Sequence, residues 1–202
     1  MFFRTFLLLA ITSQLIAYNY PSETILKQWY TNKKVLVTGG YGFIGSHIVE
    51  KLIQLGAHVV VLDNFCTGKH ENIMKSEHIS VINGSITNPQ TCIEAALGVD
   101  IIFHLAAFVS VPLSIEQPRA CYESNIKGTS NVLEAARINN FKQFILSSSS
   151  AVYGLKDCAC TEDMHCTPAS PYRFSKLIDE LLCQQYSTCF GLQTICLRYF
   201  NV

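Results

Sequence analysis

Short apolar runs recur along the chain, separated by segments whose apolar positions follow a helical period. The runs KVLVTG (34–39), HVVVLD (58–63), ISVING (79–84), DIIFHLA (100–106), QFILSSS (143–149) and QTICLRY (193–199) are rich in Val or Ile. Most are apolar on consecutive residues rather than alternating, which predicts strands covered on both faces, as inside a parallel sheet. Between them the pattern predicts a short helix over 21–30 and longer ones at HIVEKLIQLG (47–56), NPQTCIEAALG (88–98), 119–138 and SPYRFSKLIDELLCQQYSTCFG (170–191). Gly56, Gly98 and Gly191 end three of these, as expected of a residue that tolerates the left-handed backbone of a helix C-terminus. Strand and helix in alternation predict right-handed crossovers and an α/β, doubly wound parallel sheet with helices on both faces.

Composition narrows the classes. The chain has 202 residues, 49% hydrophobic and 15% charged, enough for one sizeable core and unlike a disordered chain. Lys+Arg and Asp+Glu both number 15, so there is no basic excess to recommend a nucleic-acid partner. The first 20 residues stand apart. MFFRTFLLLAITSQLIA has one early Arg4, an apolar stretch and no acidic residue before Glu23. It reads as a signal-like or anchor-like segment, with an ordinary N-terminal extension as the alternative. Location is therefore read as cytoplasmic, with secretion or membrane contact through residues 1–20 as the other possibility.

Nine cysteines, an odd and dispersed set, do not form a disulfide framework. Cys158, Cys160, His165 and Cys166 lack a second ligand pair at the usual zinc spacing, so they read as loop cysteines and no metal is expected.

Two motifs carry chemistry. In VLVTGGYGFIGSH (35–47), Gly39, Gly42 and Gly45 follow a strand and open a helix. Such glycines permit a tight turn, close backbone approach to a pyrophosphate and close helix–strand packing, with the helix amides facing the phosphate charge. Asp63 ends the second strand 18 residues beyond Gly45, where a carboxylate accepts from an adenosine ribose and repels a 2′-phosphate; this favours NAD over NADP. The second motif is Tyr172-x-x-x-Lys176, two side chains one helical turn apart. A phenol titrates near ~10 in water, and a neighbouring ammonium favours its phenolate. Poised so, it can take a proton from a hydroxyl as hydride leaves the same carbon. Ser149, after the fifth strand, lies at the sheet edge where ligands bind and can orient the reacting oxygen. His104 ends an apolar strand and is read as structural, and the scattered charges as solvated.

In order, TGGYGFIGSH, LDNF, FHLAA, SNIKGTSNVLEAAR, SSSSAVYG, SPYRFSK and LRYFNV resemble the extended short-chain dehydrogenase/reductase family, in its NAD-dependent nucleotide-sugar epimerase branch, over about residues 33–202. The resemblance implies a Rossmann fold with NAD as cofactor. Gly39, Gly42, Phe43, Ile44 and Gly45 would hold the pyrophosphate. Asp63 and Asn64, with Thr67 and Gly68 in the same loop, would meet the ribose. Ser85 and Ile86 stand at the adenine, where the family usually carries Asp with Ile or Leu. Leu105, Ala106 and Ala107 would line the cofactor cleft, Asn125 would lie near the nicotinamide, and Tyr199 and Phe200 would flank it. Ser149, Tyr172 and Lys176 match the catalytic triad, Tyr172 and Lys176 also touching cofactor. Substrate would meet Ser110, Ser149, Ser150, Tyr172 and Asn201.

Ser150 and Ala151 replace the acids that dehydratases and decarboxylases of this family carry after the catalytic serine. Without a general acid, elimination is disfavoured. The resemblance therefore implies C4 epimerisation of a UDP-sugar through a 4-keto intermediate. FVSVPLSIEQP (108–118) favours UDP-N-acetylglucosamine over UDP-glucose or UDP-glucuronate. It further implies a homodimer through the helices of 119–138 and 172–188, and a substrate region following Val202. Residues 21–202 would then be the NAD-binding domain alone. The competing expectation is a truncated, non-catalytic NAD-binding remnant.

Overall fold

The computed structural model describes residues 21–141 and 143–202. The signal-like segment lies outside the described residues. Elements follow in the order α1 (Glu23–Tyr30), β1 (Lys34–Thr38), α2 (Phe43–Gln54), β2 (His58–Asp63), β3 (Ile79–Asn83), α3 (Pro89–Ala95) and β4 (Ile101–His104). Then come α4 (Val111–Glu116), α5 (Pro118–Tyr122), α6 (Gly128–Ile138), β5 (Gln143–Ser149), α7 (Pro171–Phe190) and β6 (Gln193–Tyr199). The six strands form one sheet in the order β3-β2-β1-β4-β5-β6. Every pairing is parallel. The order reverses between β1 and β4, so the loops after these strands splay apart and leave a crevice at their C-terminal ends.

Alternate residues of the central strands feed two cores. Val35, Val37, Val59 and Val61 pack beneath Val49 and Leu52 of α2. Leu36, Leu62, Ile102, Phe144 and Leu146 face the other way, onto Val132, Leu133 and Ala136 of α6 and Cys183 and Tyr186 of α7. This is why β1 and β2 read as unbroken apolar runs.

The edge strands differ from that expectation. β3 carries only exposed or partly buried residues. On β6 one row is open, with Ile195 and Leu197 exposed, because α7 covers only the row that includes Cys196. The predicted helix over 119–138 runs without a break from Pro118 to Ile138, with one change of pitch. Glu123–Lys127 forms a π-helical turn between α5 and α6. α4 was not expected; Gln117 leaves helical geometry (φ −128°, ψ 61°) ahead of Pro118, so α4 ends there and α5 begins. Among the described residues no helix is long and apolar enough to cross a membrane.

His104 is wired into the sheet rather than into solvent. The Thr38 hydroxyl accepts from the Leu105 and Ala106 amides, both at 3.2 Å. It must therefore donate to His104 Nδ1 at 2.7 Å, leaving Nε2–H to donate to Thr129 Oγ1 at 3.0 Å. Burial, with the Lys176 ammonium adding to it, pushes this imidazole down to about 3. An unfolded histidine titrates near ~6.5, so the unfolded chain takes up a proton that the folded chain refuses between these values. Stability contributed here is complete above about pH 6.5 and drains away as pH falls towards 3. Urea unfolding of a His104→Asn variant should show a pH slope flatter by up to about one proton over that window. An unchanged slope would contradict the neutral, buried imidazole.

Candidate active-site cleft

A cleft of about 590 Å³ opens at the crevice. One wall is the β1–α2 turn. Gly39 has φ +68°, and a Cβ there would meet the backbone of Ala106 at 2.7 Å. A Cβ on Gly45 would fall 2.2 Å from the Gly39 carbonyl oxygen. Only glycine lets strand, turn and helix approach so closely. Ser22, Asn88, Ser110 and Ser170 cap their helices with a side-chain oxygen. α2 instead starts from Gly42 with no side-chain cap. Its first-turn amides therefore retain donors on a wall formed by Gly42, Phe43, Ile44 and Gly45, the arrangement that suits a phosphate.

At the same end Asp63 is buried, its carboxylate accepting from the Tyr41 amide at 2.9 Å and the Phe65 amide at 2.8 Å. Asn64, Thr67, Ser85 and Ile86 complete this side of the lining. Ser85 Oγ, expected at the adenine, shares a 2.9 Å hydrogen bond with Thr87 Oγ1. Gly68 does not line the cleft. A Cβ there would press on Tyr41 and on both Asp63 carboxylate oxygens, so its place is behind the carboxylate.

The far end is built by β5, β6 and α7. Leu105, Ala106 and Ala107 line the middle. Ser149 pairs in register with Tyr199, and Ser149 Oγ accepts from the Ala151 amide at 3.1 Å. Tyr172 sits in the first turn of α7, which Ser114 Oγ of α4 anchors by accepting its amide at 3.2 Å. Lys176, one turn on, is 3% exposed and donates from Nζ to the Ser147 carbonyl at 3.0 Å. Ser149, Tyr172 and Lys176 thus reach one cleft from two elements. A second cavity of about 550 Å³ continues past them, sharing Ser149, Tyr172, Tyr199, Phe200 and Asn201 and adding Ser150.

Besides Gly68, two more residues expected at the ligand lie outside the lining. Asn125 lies off the cleft wall. It is buried, accepts from the Phe108 amide at 2.7 Å, and donates to the Phe108 carbonyl at 3.1 Å and to Ser175 Oγ at 2.8 Å. It clamps the β4–α4 loop to α7, and so holds Tyr172 indirectly. Ser110 is not in either lining; its hydroxyl accepts from the Leu113 amide at 3.2 Å, capping α4.

Asp179 went unnoticed in the sequence, where it read as one more solvated charge. It is fully buried, 3.5 Å from Lys176 Nζ, and the Lys176 ammonium and the Thr129 hydroxyl are the polar groups that face it. Burial pushes its carboxyl up to about 6, against the pull of Lys176. Among the described residues no group of three or more His, Cys, Asp or Glu could hold a metal ion.

Residues 35–202 match the family model described as the NAD dependent epimerase/dehydratase family. The chain belongs to that family. Two relatives bracket its breadth. A UDP-glucose 4-epimerase of Lactobacillus helveticus is 35% identical over 170 residues, covering 84% of this chain and 52% of the relative. A UDP-N-acetyl-alpha-D-glucosaminuronate decarboxylase of Bacillus cytotoxicus is 36% identical over 179 residues, covering 84% and 54%. Among solved structures of the family, a UDP-N-acetylglucosamine 4-epimerase from Methanobrevibacter ruminantium, in complex with UDP-N-acetylmuramic acid, is 38% identical with a TM-score of 0.81. That match covers 85% of this chain and 56% of the other. A Thermus thermophilus UDP-glucose 4-epimerase complexed with NAD is 36% identical with a TM-score of 0.77, covering 82% and 54%. The chain spans about half the length of the family members it matches.

Proposed function

We propose that the chain is the NAD-binding and catalytic part of a UDP-sugar 4-epimerase. The observation that carries this reading is the single cleft that runs from an uncapped helix start and Asp63 to Ser149, Tyr172 and Lys176. The turn of Gly39–Gly45 would hold the NAD pyrophosphate, Asp63 the ribose, and Tyr199 and Phe200 the nicotinamide side. When bound, NAD supplies a hydride acceptor that returns what it takes. The protein's own groups handle the proton and the orientation. Tyr172 removes the proton of the C4 hydroxyl and gives it back after the 4-keto sugar has turned over in the site. Ser149 would hold the same oxygen by a hydrogen bond, and Lys176, one helical turn along α7, would supply the positive charge that favours the phenolate. Ser150 and Ala151 line the second cavity without offering an acid, which supports epimerisation over dehydration or decarboxylation.

Preference for an N-acetylated sugar rests on the likeness of segment 108–118 and on the 38% identity to the N-acetylglucosamine 4-epimerase, since the Ser110 hydroxyl is committed to its helix. We further propose residues 21–202 as the cofactor domain, with pairing of two copies through α5–α6 and α7. Incubation with NAD and either UDP-N-acetylglucosamine or UDP-glucose should yield the C4 epimer on chromatography. A second reading, an NAD-binding domain without turnover, draws on the open apolar row of β6. Bound NAD with no epimer from UDP-N-acetylglucosamine, UDP-glucose or UDP-glucuronate would select it. Asp63→Ala should weaken NAD binding by about tenfold, the loss of a hydrogen bond to a charged acceptor. Equal affinity by calorimetry would remove the ribose assignment.

A further inference from the structure

The second cavity holds positive charge that the proton transfer does not use. Its lining includes Arg173 and Lys156 and no carboxylate. Arg173 Nε is buried without a hydrogen-bond acceptor among the described residues. Neither side chain is ion-paired among those residues. Arg198, by contrast, is fully engaged, donating to Glu180 Oε2 at 2.8 Å and to the Glu162 carbonyl at 3.1 Å. A buried guanidinium N–H without an acceptor is costly, and a carboxylate is the ligand that its planar fork fits.

Position says which carboxylate. Arg173 follows Tyr172 directly, and the cavity shares Ser149 and Tyr172 with the cleft. A group here lies beside the carbon on which Tyr172 acts. In a hexopyranose, C4 is flanked by C3 and C5, while the diphosphate leaves from C1 across the ring. Resting on the epimerase reading, we propose that this cavity is an anion subsite. The substrate is then a UDP-sugar bearing a carboxylate on its C3 or C5 substituent, whatever stands at C2.

Calorimetry on the NAD-loaded chain with UDP-glucuronate, UDP-glucose and UDP tests this. UDP-glucuronate should bind about tenfold or more tighter than UDP-glucose. Arg173→Met should erase that preference, Arg173→Lys should keep part of it, and Lys156→Met should lower it to a smaller extent. Unchanged NAD heats would show each variant to be folded. Equal binding of both sugars by the unaltered chain overturns the subsite and leaves epimerisation standing. A loss on Arg173→Met that is the same for UDP-glucuronate, UDP-glucose and UDP also overturns it, since the anion would then be the diphosphate. If NAD binds and neither sugar does, the epimerase reading falls and takes the subsite with it.

Discussion

Tyr172→Phe should lower epimerase turnover by roughly 10²–10⁴-fold, the usual contribution of a positioned proton-transfer group. The substitution deletes one oxygen and keeps the ring, so packing in the first turn of α7 is undisturbed. The anchors of that turn, the Ser114 hydroxyl on the Tyr172 amide and the Asn125–Ser175 bond, do not involve the phenol. NAD should therefore remain bound. Single-turnover spectroscopy would separate the two effects: bound cofactor with no transient reduction on adding sugar is the expected result. Turnover within a few-fold of the unaltered chain would move the proton transfer to another group.

Gly45→Ala should act at the opposite end of the cleft and on both binding and stability. The added methyl would lie 2.2 Å from the Gly39 carbonyl oxygen and 2.8 Å from the Gly40 Cα, both backbone atoms with no rotamer to escape into. Helix and turn must separate, which costs on the order of 1–3 kcal/mol. The first-turn amides shift with the helix, so NAD affinity should fall by roughly 10–100-fold for the same free energy. Thermal melting and NAD titration of the variant check both halves. A variant as stable and as avid as the parent would mean that this turn is not the packed phosphate wall described.

Much of the fold is legible in the sequence. Val35 to Val37 and Val59 to Leu62 announce a sheet buried on both sides because each row feeds its own core. The glycines, Asp63, Tyr172 and Lys176 were legible because their spacing is fixed by local geometry, a turn or one helical repeat. What escaped depends on long-range packing. Asp179 shares the polar character of any helix surface residue, and only α7 docking onto the sheet makes it buried. Asn125 was placed beside the ligand, yet it faces Phe108 and Ser175, which are 17 and 50 residues away in sequence. Ser110 could serve ligand or backbone, and the start of α4 claims it. Arg173 looked like an ordinary solvated charge until its Nε proved buried and without an acceptor.

A dinucleotide seated against the start of α2 is the premise shared by every functional statement above. Titrating the folded chain with NAD in a calorimeter, with a melting scan alongside, should give saturable one-to-one heat and a raised melting temperature. Absence of both heat and shift, on protein that still melts cooperatively, would contradict it.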